Sequence, residues 1–181
     1  AVIDPSSKTD IHPGLLHGDE FMLVFEGPLD PMSTREVLEV LDSRNIHALF
    51  LMPGISAQHF PDLVRLMTSQ GNSVGSQGTE LMDFATLDMN DAEQKISDGR
   101  QSVSEAGEAP SAFFALPWGR SRRAAATLVH SEGLKIVHGD LHLQDWKIYD
   151  ATDLVRAATD LIHHRDKGIL VMHSGLHQTA I

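Results

Sequence analysis

The chain contains no cysteine. This absence excludes disulfide bonds, zinc sites with cysteine ligands and thiol nucleophiles together. The longest apolar runs are far shorter than the roughly 20 residues that a membrane-spanning helix needs, so we predict no membrane span. A basic and then apolar leader is also missing. The printed chain starts at Ala1 rather than Met, as a processed or trimmed product would, so the missing leader excludes nothing.

Positive charge is scarce. The 181 residues include 14 Lys and Arg against 25 Asp and Glu, a net charge of -11 with His neutral. This balance argues against nucleic acid and against anionic membrane surfaces as partners. Hydrophobic residues make up 41% and charged residues 22% of the chain, close to the averages of globular proteins. The length and composition therefore predict one folded domain with a sizeable core.

Apolar runs alternate with amphipathic stretches along most of the chain. Several of the runs are continuously apolar, as strands buried on both faces of a parallel sheet are. The pattern predicts a single-domain α/β fold over residues 20–181, preceded by an irregular lead-in over residues 1–19. We predict strands at 20–25, 47–52, around Val74, 112–116, 135–141 and 168–173. We predict helices from Ser33 or Thr34 to Leu41, around 60–71, from Asn90 or Asp91 to Ala106, and at 124–130 and 150–164.

In a parallel α/β fold the functional site lies at the carboxyl ends of the strands. The residues that end or follow a predicted strand are Glu26, Pro53, Gln77, Trp118, Asp145 and His173. Glu26 closes an apolar strand before Gly27-Pro28, where a metal ligand or general base would sit. The alternative is a solvated or hydrogen-bonded carboxylate at a strand end.

At these positions the chain resembles the polysaccharide deacetylases of the NodB-homology type, carbohydrate esterase family 4. The resemblance extends from about residue 21 to residue 178. Five stretches carry it in the family's order: Val24-Phe25-Glu26-Gly27-Pro28, Gly71-Asn72-Ser73-Val74-Gly75, Phe114-Ala115-Leu116-Pro117-Trp118-Gly119, Gln144-Asp145-Trp146-Lys147 and Ile169-Leu170-Val171-Met172-His173. The resemblance implies a distorted (β/α) barrel with parallel strands. It also favours an extracytoplasmic location.

The family's mechanism uses two half-sites. In one, an Asp base and an Asp-His-His metal triad activate a water molecule, an Arg orients the base, and the metal acts as a Lewis acid. In the other, a His protonates the leaving amine and an Asp holds up its pKa. The resemblance implies that the second half-site is retained here by Asp145 and His173, next to Trp146 and Leu170.

The first half-site is almost completely replaced. The base falls on Phe25, the metal Asp on Glu26, the two metal His on Gln77 and Leu81, and the Arg on Ala115. A shifted alignment does not restore the metal pair, because no His-x-x-x-His occurs between the histidines at 59 and 130. The sequence therefore predicts no metal and no other cofactor.

Four further features have both a functional and a structural interpretation. Trp118 and Trp146 are predicted to contact a sugar with Leu170 and Glu26, although tryptophan is also a common core residue. His173 and Asp145 are expected to lie within hydrogen-bond reach and to serve structure. The pairs His138/His142 and His173/His177 have metal-ligand spacing only on a helix, whereas both are predicted near strands. Arg120, Arg122 and Arg123 are either a solvated cluster or a site for an acidic sugar group.

These observations predict a polysaccharide-deacetylase-like domain in carbohydrate metabolism that has lost metal-dependent deacetylation. It would bind a polysaccharide or oligosaccharide through the old groove, or act as a scaffold. The alternative is an active hydrolase of acetamide or another carbon–nitrogen bond with a rearranged site, for which a divalent metal such as zinc would return. A groove filled by Phe25 and Leu81 would favour a purely structural role. The sequence leaves the oligomeric state, the sugar and any protein partner open.

Overall fold

The described part of the chain, residues 10–119 and 123–179 of a computed structural model, contains one sheet of seven strands. All neighbouring pairs are parallel, and the order is β5-β4-β3-β2-β1-β7-β6. The bounds are β1 (Phe21–Glu26), β2 (Leu49–Met52), β3 (Ser73–Ser76), β4 (Phe113–Phe114), β5 (Lys135–Ile136), β6 (Leu141–His142) and β7 (Gly168–Met172). The predicted α/β fold with parallel strands is confirmed.

Helices connect the strands. Their bounds are α1 (Ser33–Ser43), α2 (Gly54–His59), α3 (Pro61–Ser69), α4 (Met89–Gly107), α5 (Arg123–Ser131) and α6 (Ala151–His163). The short α2 was not predicted, because Pro53-Gly54 was interpreted as a strand terminator alone. None of the described helices is both long and apolar enough to cross a lipid bilayer.

The start of α1 differs from the prediction. Neither Ser33 nor Thr34 caps the helix. Instead the Asp30 carboxylate accepts hydrogen bonds from the backbone N–H groups of Met32 and Ser33, at 3.1 and 2.8 Å. These bonds lower the pKa of Asp30. The Thr34 hydroxyl instead donates to the carbonyl oxygen of Ser174, which follows β7, at 3.2 Å. A contact between distant parts of the chain therefore uses the side chain that the local pattern predicts as a helix cap.

The predicted strand at 135–141 is wrong in one respect, because it is two strands on opposite edges of the sheet. β5 pairs with β4, whereas β6 pairs with β7. Four residues, 137–140, connect them and span at most about 18 Å when extended. Seven flat strands would hold their edges roughly 29 Å apart. The sheet must therefore curl into a distorted barrel, as the resemblance implied.

The two faces of the curled sheet carry different cores. Along β1, Met22 and Val24 belong to an inner cluster with Leu49, Leu51, Ile169 and Val171. Phe25 lies on the opposite face, packed with Val37 and Val64 beneath the helices. This alternation follows from the pleat, which sends successive side chains to opposite faces. Glu26, next along β1, therefore lies on the inner face at the carboxyl edge.

The described part of the lead-in packs on the domain. Ile11 is 4% exposed and forms a parallel bridge with Val137, the residue that follows β5. The backbone N–H of Ile11 donates to Ile136 at 2.9 Å, and its carbonyl oxygen accepts from His138 at 2.8 Å. Residues 1–9 lie outside the described residues, and a boundary at residue 20 stays a prediction. In the described part of this segment, Pro13–Leu15 forms a short 3-10 helix, and Ile11 and Leu16 belong to the inner core cluster.

Candidate functional site

Three strand ends meet at the turn that follows β1. The backbone N–H of Gly27 donates to the side-chain oxygen of Gln77, after β3, at 2.9 Å. A Cβ atom on Gly27 would lie 3.3 Å from the His173 ring, after β7. The φ angle of Gly27 is +96°, which L-residues with a side chain rarely adopt. Glycine therefore allows the turn and lets the imidazole approach it closely.

Asp145 and His173 form the pair expected from the sequence. The Nδ1 atom of His173 lies 2.7 Å from Oδ1 of Asp145. The second carboxylate oxygen accepts from the backbone N–H of His173 and from the Thr179 hydroxyl, each at 2.7 Å. Since an ionised carboxylate only accepts hydrogen bonds, Nδ1 carries a proton. The pairing is confirmed, whereas the role of the pair stays a prediction.

The hydrogen bonds to Asp145 decide its charge. The side chain is fully buried, and burial acts to raise its pKa. The hydrogen bonds from His173 and Thr179 outweigh burial, so the pKa of Asp145 lies below its ordinary value. All three N–H and O–H groups of His173 and Thr179 therefore donate to an ionised carboxylate, whose oxygens are not available to a ligand. The pair can orient the ring of His173 and hold its Nδ1 proton in place.

The two tryptophans differ in their surroundings. Trp146 follows Asp145 and is 45% exposed, with its ring edge-on to His173 at 5.0 Å between centroids. Lys147 lies over the Trp146 ring at 5.9 Å. Trp118, after β4, is 64% exposed with a φ angle of +57°. Among the described residues no ring contact joins the two tryptophans. Trp146 is thus part of the His173 site, whereas Trp118 is an exposed side chain with no such link.

Leu170 lies elsewhere. Its side chain is 3% exposed and packs with Leu141, Leu143 and Leu154, between the sheet and α6. The pleat explains this position, because Ile169 and Val171 on either side face the inner cluster. The predicted contact of Leu170 with a sugar therefore needs a correction: it is a core residue. The two interpretations of the arginine cluster are not compared with the structure, because Arg120 and Arg122 lie outside the described residues.

Glu26 is mostly buried at the mouth of the barrel. Burial is the largest influence on its carboxyl and raises the pKa, against the opposing influence of nearby His173 and His142. No group in the described part of the chain donates a hydrogen bond to this carboxylate. The sequence suggests His142 only as a metal partner of His138. Its pairing with Val171 places it at the end of β6, where it influences the pKa of Glu26.

The residues present do not fit the divalent metal that the family resemblance implies. Gln77 is 2% exposed and its side-chain oxygen already accepts from Gly27. Leu81 has no ligating atom, and Phe25 faces the helices, stacked on Phe50 at 5.0 Å. Across residues 10–119 and 123–179, no group of three or more His, Asp or Glu side chains is arranged to hold a metal ion. The absence of a bound metal remains a prediction.

The two histidine pairs with metal-like spacing also have separate partners. His138 approaches Asp10 at 3.5 Å, whereas His142 lies 3.2 Å from the carbonyl oxygen of Gly139. His173 is held by Asp145, and His177 faces Glu36 at 3.4 Å. Each imidazole is turned to a different neighbour, so the described geometry gives neither pair a shared ligand position.

Comparison with known proteins identifies relatives of this chain. The sequence profile of the family described as polysaccharide deacetylase matches residues 18–137. The chain is 27% identical over 154 residues to a chitooligosaccharide deacetylase of Sinorhizobium fredii, covering 84% of this chain and 71% of the relative. It is 24% identical over 129 residues to a peptidoglycan-N-acetylglucosamine deacetylase of Bacillus cereus, covering 71% and 46%.

Solved structures share the fold. A carbohydrate esterase family 4 pseudoenzyme from Bacillus anthracis superposes with a TM-score of 0.87 at 17% identity, covering 96% of this chain and 61% of that one. A mutant of that pseudoenzyme is described as having restored activity. A family 4 carbohydrate esterase from Streptomyces lividans, in complex with acetate, gives 0.81 at 23% identity, covering 91% and 83%. The chain thus spans less than two thirds of the pseudoenzyme. The profile match over residues 18–137 assigns this chain to the polysaccharide deacetylase family.

Proposed function

We propose that this chain binds a polysaccharide or oligosaccharide in the groove beside His173 and Trp146, and that it does not carry out metal-dependent deacetylation. The observation that carries the proposal is the hydrogen bond between Gln77 and Gly27. At a position where the resemblance places a metal-binding His, a neutral amide is buried and fastened to the backbone. Without a metal and a base, the water that attacks an acetamide is not activated.

The binding half of the proposal rests on the rigidity of the other half-site. Asp145 holds His173 through both the ring and the backbone, and Trp146 stands edge-on to that ring. A half-exposed tryptophan fixed in this way offers a flat apolar surface to a pyranose ring at little cost in side-chain entropy. Phe25 packs in the outer core and not on the inner face, so one of the two side chains that would fill the site in a purely structural role lies elsewhere.

One observation favours the alternative of an active carbon–nitrogen hydrolase. The Asp145–His173 pair has the geometry of an oriented proton donor, with a carboxylate holding one ring nitrogen. Such a hydrolase would need a different source of nucleophile, and Glu26 is a second carboxyl group near His173, besides the Asp145 that holds the ring. An ordered metal beside Glu26 would support this alternative.

The test measures binding and turnover on the same protein. N-acetylglucosamine oligomers are titrated while tryptophan fluorescence and calorimetry are recorded, and acetate release is assayed with and without added zinc. We expect binding, no acetate release, and a loss of about 1–3 kcal/mol of binding free energy in Trp146→Ala. Val155→Ala, an exposed apolar residue on α6, is the matched control and should bind normally. Acetate release that disappears in His173→Ala would overturn the proposal.

A further inference from the structure

Glu26 is a carboxyl group at the carboxyl edge of the sheet, and no described residue donates a hydrogen bond to it. It ends β1 on the inner face of the barrel and is followed at once by the Gly27 turn, against which His173 packs. Asp145, the other carboxylate of the site, is saturated by three donors, from His173 and Thr179. Among the described residues of this site, Glu26 is therefore the carboxyl group that a ligand can engage.

The neighbouring imidazoles do not satisfy Glu26. The Nδ1 atom of His173 is bound to Asp145, and the Nε2 atom of His142 lies against the carbonyl oxygen of Gly139. Burial raises the pKa of Glu26 more than these two rings lower it, as expected for a carboxylate that loses water and gains no hydrogen bond. At the position of the family's base-orienting Arg the chain has Ala115, which carries no charge. A positively charged donor on a ligand would supply the hydrogen bond that Glu26 lacks.

A carboxylate that lacks a hydrogen-bond donor distinguishes between two kinds of amino sugar. A free primary amine is protonated and offers three N–H donors with a positive charge. An N-acetylated amine offers one neutral N–H, together with a carbonyl oxygen that a carboxylate repels. We infer that Glu26 makes the groove selective for saccharides with free amino groups, the deacetylated form, over their N-acetylated counterparts. This inference rests on the proposed saccharide binding.

The experiment compares two probes, the tetramer of glucosamine and the tetramer of N-acetylglucosamine, on the intact chain by calorimetry at several pH values from about 5 to 8, because burial raises the pKa of Glu26 and the preference requires the ionised carboxylate. We expect the glucosamine tetramer to bind at least about tenfold more tightly. In Glu26→Gln, which keeps the shape and removes the charge, the preference should disappear. Glu39→Gln, on the exposed face of α1, makes the same change in net charge and should keep the preference.

A salt series on the wild-type chain keeps the test independent of how Glu26→Gln folds. Because salt screens charge pairs, the preference should shrink as the salt concentration rises. Equal affinity for the two tetramers, or tighter binding of the acetylated one, would overturn the inference and leave saccharide binding standing. A preference that survives in Glu26→Gln would overturn it as well. If neither tetramer binds, both the inference and the proposed function fail.

Discussion

The side-chain oxygen of Gln77 accepts a hydrogen bond from the backbone N–H of Gly27 at 2.9 Å, across 50 residues of sequence. The same N–H also donates to the carbonyl oxygen of Leu51 at 3.0 Å. The end of β3 is thereby connected to the turn after β1, directly beside Glu26. A metal ion would have to compete with the backbone for this amide oxygen, which is a weak ligand for zinc in any case.

We therefore expect the purified protein to contain no stoichiometric zinc, cobalt or nickel at this position. A zinc site normally has at least three protein ligands at about 2.0–2.3 Å, and Gln77 and Leu81 do not supply them. Elemental analysis of protein dialysed against zinc and then against buffer checks this. One metal ion per chain that is lost in Glu26→Ala would contradict the prediction.

Phe25→Asp alone should destabilise the protein and create no deacetylase activity. The Phe25 side chain is 4% exposed and stacked on Phe50, so an Asp there would be buried without a partner. We expect a loss of about 3–5 kcal/mol in the free energy of unfolding, measured in urea. Phe25→Leu, which stays apolar, is the control and should lose less than about 1.5 kcal/mol.

Restoring turnover should require several changes together, because base, metal and acid act as a unit. The set is Phe25→Asp, Glu26→Asp, Gln77→His, Leu81→His and Ala115→Arg. Acetate release from an N-acetylated oligosaccharide in the presence of zinc is the measurement. Activity in the single variant Phe25→Asp would show that the site had not been dismantled.

The Asp145 network should make stability fall in acid. The folded-state pKa of Asp145 is lowered, so the carboxylate stabilises the fold above its unfolded pKa of about 3.9. This stabilisation is lost as the pH falls through the lower folded value. Asp145→Asn should remove about 2–4 kcal/mol at neutral pH and flatten the acid branch of the stability curve. Asp153→Asn, an exposed carboxylate on α6, should change stability by less than about 1 kcal/mol.

Glu26 should have the opposite pH dependence. Its folded-state pKa is raised, so the group costs no stability below the unfolded pKa of about 4.3, where it is protonated in both states. The cost appears as the pH rises through the folded value. Without ligand, Glu26→Gln should thus be more stable than wild type at neutral pH, by on the order of 1 kcal/mol, and equal to it in acid. Melting curves across this pH range check this, and a wild type as stable as Glu26→Gln at neutral pH would contradict it.

Much of the architecture could be predicted from local patterns. Continuously apolar runs such as Leu49–Met52 indicate buried parallel strands whatever their partners, and the spacing of Leu63, Val64 and Met67 indicates a helix face. These features depend on short stretches of chain and on the general rules of the fold class. The pairing of Asp145 with His173 was also expected, but from the resemblance to the polysaccharide deacetylases, in which both positions are retained.

The tertiary structure alone decided the rest. The division of residues 135–142 between the two edges of the sheet depends on the closure of the barrel, which no local pattern encodes. The direction of each side chain at a strand end depends on the register of the pleat, and this register sends Leu170 to the core beneath α6 and Glu26 to the inner face at the carboxyl edge of the sheet. The hydrogen bonds of Gln77 to Gly27 and of Thr179 to Asp145 join residues 50 and 34 positions apart. Such contacts form only when the strands that carry them are assembled, because polar partners in a buried site are chosen by proximity in space.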